Sequence, residues 1–301
     1  MTFILVVLPI FCIFLLGFIG KKMMNFDVKS LSKMALFLMT PVLAFRTFYE
    51  NALSWNYFYF AIFLILLCGV LILLNYVIGF MRGWDSSSIC SSILSSAFMN
   101  NGNYGTPVVL FVFGKAGLNF AVILMVIQQL IMCTIGLYYA AKGSLDPERK
   151  VSPLKEIFRM PIVYGAVLGL LCQIFSVGIS PDMYTAISMV ADSTIPTVMI
   201  ILGMQLADIS LKKLEKERLA YSLILKMAIS PIAAFVIASF LPVDHMVKQI
   251  MVITAAMPTA ANTTMYALQF NTKPEFVSSA TLLSTLLSIV ALPIVISLAL
   301  L

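Results

Sequence analysis

The sequence predicts an all-α integral membrane protein: ten transmembrane helices in a 5+5 inverted repeat, with broken helices 4 and 9 crossing. Three observations predict it. The 301 residues are 61% hydrophobic and only 11% charged, with a mean hydropathy of +1.03, whereas a soluble domain carries about 25% charge. The basic residues collect in alternate loops. Two apolar runs are interrupted at corresponding places in the two halves, by Asn100-Asn101-Gly102-Asn103-Tyr104-Gly105-Thr106-Pro107 and by Met257-Pro258-Thr259-Ala260-Ala261-Asn262-Thr263-Thr264.

A helix needs about 20 apolar residues to cross the hydrocarbon. That length places spans near 2–20, 31–49, 57–80, 88–112, 117–141, 158–176, 183–207, 219–241, 247–270 and 276–300. The first is read as a retained span and not a signal peptide, because Lys21 and Lys22 follow the apolar stretch instead of preceding it. The loops after spans 1, 3, 5, 7 and 9 hold fifteen of the nineteen Lys and Arg residues. Only Arg46, Lys115 and Lys248 lie on the other side, and Lys226 lies within span 8. By the positive-inside rule both termini face outward across the cell membrane.

The same placement disposes of other readings of the net charge of +6. No basic stripe with interleaved aromatics is present, so no nucleic-acid partner is expected. The lipid bilayer, with its anionic headgroups, is the expected partner of these loops. Cys12, Cys68, Cys90, Cys133 and Cys172 lie in apolar runs without metal-ligand spacing. They read as small hydrophobes, and neither a metal nor a cofactor is expected.

The halves echo one another. Pro9-Ile10 and Leu16-Gly17 in span 1 recur as Pro161-Ile162 and Leu168-Gly169 in span 6, offset by 152 residues. Pro41 answers Pro196 at 155, and Phe113-Gly114 answers Phe270-Asn271 at 157. A slow drift of this kind is expected of two diverged copies. Five spans per copy is an odd number, so the second copy inserts upside down. The first repeat covers 1–141 and the second 158–301, joined by a short cytoplasmic linker at 142–157 with an Asp146-Pro147 turn signal. Unwound backbone at membrane depth survives only inside protein or beside a water-filled cavity. A matched pair of Gly/Pro-broken spans is the mark of a secondary transporter's substrate site.

With these motifs in view, the chain resembles the auxin efflux carrier family, whose bacterial branch includes proteins described as malate or malonate permeases. The resemblance rests on the break ending Gly105-Thr106-Pro107, the Pro258 to Asn262 break, Phe158-Arg159-Met160-Pro161 leading into span 6, Leu168-Gly169 after it, and the 5+5 layout. It covers the whole chain. It departs where many members have Asn-Pro at the start of span 6 and this chain has Met160-Pro161. The short linker is similar to the bacterial branch, since plant members carry a long central loop. The resemblance implies a fold shared with bile-acid/sodium symporters. It further implies a scaffold of spans 1, 2, 6 and 7, a transport domain of spans 3–5 and 8–10, and elevator-like movement of one against the other.

Candidate substrate-binding residues come from the breaks. Asn101, Gly102, Asn103, Thr106 and Pro107 form the first. Pro107 removes a donor and frees the carbonyl of Asn103, and the amides can donate to a carboxylate. Pro258, Thr259, Ala260 and Asn262 form the second, with Thr254 as the freed carbonyl and Asn262 as the polar group facing the first break. Gln128 in span 5 falls opposite the first break. For Gln128, Gln129, Asn75, Ser284 and Ser288, interhelical hydrogen bonding is the simpler role.

Two charges are candidates for coupling-ion or charge-balancing roles. Lys226 stands in for a coupling cation or balances an anion, unless it snorkels to the interface. Asp192, two to three turns inside span 7, exchanges a proton or braces the kink at Pro196. Arg46 and Glu50, one turn apart, read as an i,i+4 ion pair. His245 lies in a loop and suits neither a metal nor a proton relay.

The expected function is secondary active transport of small organic anions, carboxylates of a malate-like kind. Coupling to proton or sodium stays open, as does assembly into a homodimer. The alternative is a sodium-coupled symporter of the bile-acid type, which would want carboxylates near the breaks, and neither break contains Asp or Glu. An intramembrane enzyme is disfavoured by the lack of HExxH, GxSxG or a paired intramembrane Asp motif. A channel is disfavoured because two unlike breaks do not form a ring of like residues.

Overall fold

A computed structural model of the chain describes residues 2–24, 26–52, 54–145, 160–207 and 215–300, with side chains from residue 8 onward. The described residues form helices α1 (Thr2–Met24), α2 (Val28–Glu50), α3 (Trp55–Met81), α4 (Ser86–Ser96), α5 (Asn101–Lys142), α6 (Pro161–Ile174), α7 (Pro181–Ala207), α8 (Lys216–Ser239), α9 (His245–Ala255), α10 (Ala261–Phe270) and α11 (Pro274–Ala299). Among them there is no β-strand, only one isolated bridge between Met99 and Thr259. Six helices, α2, α3, α5, α7, α8 and α11, are long and apolar enough to cross a membrane, and α6 is a shorter apolar helix. The chain is thus an all-helical, multi-pass membrane protein. The linker from residue 146 and the basic residues Arg149, Lys150, Lys155, Arg159, Lys212 and Lys213 lie outside the described residues.

Proline shapes several helices in the same way. Its missing N–H opens a gap in the i→i−4 ladder, and one π-turn ahead of it absorbs the mismatch. Such wide turns occupy Ala35–Met39 before Pro41, Asn101–Gly105 before Pro107, and Leu225–Ile229 before Pro231. A fourth, Met132–Gly136, has no proline behind it. Helix α5 contains 42 residues, about 63 Å if straight at 1.5 Å each, roughly twice the hydrocarbon thickness. It does not run straight. Gly114 takes φ 67° and ψ −160°, a left-handed conformation that only glycine holds easily.

The chain divides into two compact units. The first comprises Met1–Phe58, Gly102–Val126 and Ile157–Ile209; the second comprises Tyr59–Asn101, Ile127–Glu156 and Ser210–Leu301. In the first unit, α1 packs on α7 and the second half of α2 packs on α6. Glycine lets the backbones touch. A Cβ on Gly17 would lie 2.0 Å from the Ile200 carbonyl oxygen, and one on Gly169 would lie 2.3 Å from that of Phe45. Ala35, Val198 and Ile201 form a small core under Val28, Leu31 and Met39.

The expected Arg46–Glu50 pair does not form. Arg46 instead reaches Asp192 at 2.7 Å, and Glu50 accepts from the Tyr184 hydroxyl. An i,i+4 pair on one helix yields little, and the neighbouring helix offers each side chain a partner. Asp192 is thus paired across helices with Arg46, with its side chain 61% exposed.

The second unit is organised around α4. Seven of its eleven residues are serine, and residues 87–96 are all buried. Small side chains let neighbours approach from every side. The hydroxyls turn back onto the helix, Ser96 Oγ donating to the Ser92 carbonyl at 2.7 Å and Ser95 Oγ to that of Ser91 at 3.0 Å. Ser95 also meets Ser222 of α8 at 2.6 Å, and Asn75 of α3 donates to Ser96 Oγ at 2.8 Å. Asn75 thus has the interhelical role expected of it. At its start α4 is capped by Asp85, which accepts from the Ser88 N–H at 2.8 Å.

Candidate functional site

Helix α4 stops at Ser96 and α9 stops at Ala255, and beyond each the chain is extended and buried. The two extended segments, both in the second unit, lie antiparallel and exchange backbone hydrogen bonds. The Asn100 N–H donates to the Pro258 carbonyl at 2.8 Å, and the Ala260 N–H donates to the Phe98 carbonyl at 3.1 Å. Met99 and Thr259 are the bridged pair between them. Each segment thereby satisfies polar backbone that neither helix can serve, which buried irregular backbone requires.

Side chains complete the junction. Thr259 is fully buried; its hydroxyl donates to the Ser95 carbonyl at 2.5 Å and its N–H donates to Ser284 Oγ at 3.1 Å. Gln128 Nε2 donates to the Met99 carbonyl at 2.7 Å, while its Oε1 accepts from Asn101 Nδ2. Asn101 Oδ1 is left as a buried acceptor with no partner among the described residues. The chemistry on offer is amide, hydroxyl and carbonyl.

Of the residues picked from the sequence, the structure brings Asn101, Gln128, Pro258, Thr259 and Ala260 together in the second unit. Asn262 is in the same unit, in the first turn of α10, half-buried and without a side-chain hydrogen bond to the described residues. The residue bridged to Met99 is Thr259, because the antiparallel register aligns 259 with 99. Gly102, Asn103, Thr106 and Pro107 belong to the first unit, where Thr106 Oγ1 donates to the Gly102 carbonyl at 2.6 Å. Asp192 is also in the first unit, with Arg46.

The open carbonyl of the second break lies one residue beyond the expected Thr254. Thr254's carbonyl accepts from the Met257 N–H at 3.2 Å, because the chain tightens before Pro258. Ala255's carbonyl has no backbone donor among the described residues. It accepts instead from Ser230 Oγ at 2.8 Å and from Lys226 Nζ at 3.3 Å. Lys226 is 0% exposed, so it does not snorkel. The π-turn that holds it packs on α4 and α11, and the head of the side chain reaches the end of α9.

Sequence reasoning passed over Ser95, Ser222 and Ser230. For two of them a signal was present. The serine run of 86–96 marks a helix crowded on all sides, and Ser230-Pro231 marks the kink beside the lysine.

Comparison with known proteins agrees with a transport function. The family described as membrane transport protein matches residues 2–296. An uncharacterized transporter of Methanothermobacter thermautotrophicus is 25% identical over 285 residues, covering 93% of this chain and 90% of its own. Another, of Methanocaldococcus jannaschii, is 21% identical over 297 residues, covering 95% and 96%.

Proposed function

Since the chain belongs to the membrane transport protein family, that of the auxin efflux carriers, we propose that it is a secondary active transporter of small organic anions, carboxylates of a malate-like kind. The observation that carries this reading is the antiparallel junction of Phe98–Asn100 with Pro258–Ala260. It is buried, irregular backbone in an apolar chain, held by amides and hydroxyls. Irregular backbone at membrane depth is costly, and its recurrent use is a binding site for a polar solute. Helix α10 opens directly after the junction, so its N-terminal dipole favours negative charge nearby.

Ten spans in a 5+5 inverted repeat suit these features. Helix α4 with 101–113 would be span 4, the rest of α5 span 5, and α9 with α10 span 9. Gly17 against Ile200 and Gly169 against Phe45 are equivalent contacts at the repeat's own offsets of 152 and 155. An elevator mechanism would draw on the division of the chain: α1, α2, α6 and α7 fall in one unit, and α4, α8 to α11 and most of α3 in the other, while α5 is shared, its residues 102–126 falling with the first unit and not with the expected transport domain. Both termini would lie outside the cell membrane. The sodium-coupled alternative finds no carboxylate in either break to hold the ion.

The test is a thermal-shift screen of mono- and dicarboxylates on purified protein, with and without sodium. Counterflow in proteoliposomes would come next for any acid that binds. Ligands that bind the native state raise its melting temperature. Trans-acceleration of uptake by internal substrate is expected of a carrier; uptake without it would mean a channel, and no response to any acid would exclude organic anions.

A further inference from the structure

Lys226 poses a problem that the junction alone does not solve. An ammonium buried without a carboxylate is costly, and among the described residues no Asp or Glu pairs with Lys226. What it does meet is the C-terminal end of α9. Ala255 is the last residue of that helix, and its carbonyl receives Lys226 Nζ at 3.3 Å and Ser230 Oγ at 2.8 Å. The end of a helix carries about half a negative charge, concentrated on carbonyls such as this one. In broken-helix carriers, freed carbonyls at half-helix C-termini are where a coupling cation is held.

We propose that Lys226 is a tethered cation: its ammonium fills the cation position at the C-terminal end of α9, so the second unit needs no sodium ion. The π-turn Leu225–Ile229 sets the reach of the side chain, and the Ser230 hydroxyl completes the coordination of the carbonyl. The charge is covalently attached and stays with the unit throughout a transport cycle. That consequence for coupling rests on the carrier reading; occupancy of the position by the ammonium does not.

The experiment is thermal melting of the full chain in detergent. Sodium, lithium and N-methylglucamine chlorides are compared at constant ionic strength up to about 200 mM, where a millimolar site would be saturated. Wild-type melting is expected to agree across the three within about 1 °C. Lys226→Ala deletes the equivalent of n-propylammonium. That cation at about 100 mM should raise the variant's melting temperature by several degrees and leave wild type unmoved, while n-propanol should do neither. A sodium-specific rise in wild type would overturn the proposal, since the position would then be open. Propylammonium acting no better than propanol on the variant would overturn it too. If Lys226→Ala does not fold, the wild-type titration decides alone. Failure of every organic acid to bind would sink the carrier reading while leaving this melting result standing.

Discussion

The side-chain amide of Gln128 donates to the backbone carbonyl of Met99 at 2.7 Å, and this contact sets the polarity of the first break. A carbonyl only accepts, so the Gln128 nitrogen must face it and the Gln128 oxygen must face Asn101. Asn101 then donates through Nδ2, and its Oδ1 is left as a buried acceptor without a partner among the described residues. Amide orientation follows from the network in this way.

Replacing Gln128 should therefore disturb more than one bond. Gln128→Glu keeps an acceptor for Asn101 but sets a carboxylate against the Met99 carbonyl, and Gln128→Leu removes both contacts. Leaving a buried carbonyl unsatisfied costs about 1–3 kcal/mol. Both variants should melt earlier than wild type and bind the organic acid more weakly. Wild-type melting in Gln128→Glu would show that the Met99 contact contributes nothing.

Thr259 and Asn262 should separate structure from binding. Thr259→Val deletes the hydroxyl that serves Ser95 at constant volume, and is expected to lose about 1 kcal/mol of stability, with Thr259→Ser restoring it. Asn262→Ala removes a side chain with no hydrogen bond to the described residues, so stability should stay within about 0.5 kcal/mol. Uptake should nonetheless be lost in Asn262→Ala; full counterflow in that variant would remove Asn262 from the site.

The first unit should be intolerant of a single methyl group at its crossings. Gly17→Ala and Gly169→Ala each drive a Cβ to within 2.3 Å or less of a backbone oxygen. Overpacking typically costs about 1–3 kcal/mol and more where backbone must move. Gly69, whose added Cβ would meet nothing within 4 Å, is the control, and Gly69→Ala should fold normally. Equal expression and melting of all three variants would contradict the close approach.

Acid should release the cap of α4. Ser88, through its hydroxyl and its N–H, and then the Lys273 ammonium hold Asp85 below the usual carboxylate range. A depressed folded-state pKa contributes stability above the unfolded value of about 3.9, lost as pH falls through the lower folded value. Asp85 is 62% exposed, so solvent screens its pairing with Lys273. Asp85→Ala should melt below wild type near neutral pH, and the gap should close below about pH 4. A gap that persists at low pH would assign the effect to something other than the carboxylate.

The helices were legible because burial in lipid demands long apolar runs, and the breaks were legible because Pro, Gly and Asn interrupt those runs. Pairings between distant residues were not. Arg46 is 146 positions from Asp192, and sequence favoured the local partner Glu50. That Thr259 lies opposite Met99 was not legible either, because register decides which residues pair, and register depends on where two helices happen to stop.

By itself, the sequence determined that this chain is helical, lies in a membrane, and is interrupted near residues 100 and 258. Hydropathy, charge placement and backbone donors are properties of each residue or its neighbours, and they suffice for that. Only the tertiary structure decided that Ala255, not Thr254, offers its carbonyl, that Asn101 presents an acceptor, and that the head of Lys226 ends buried against α9. Those outcomes depend on which polar groups meet after the helices pack, because a buried donor or acceptor takes whichever partner the packing brings to it.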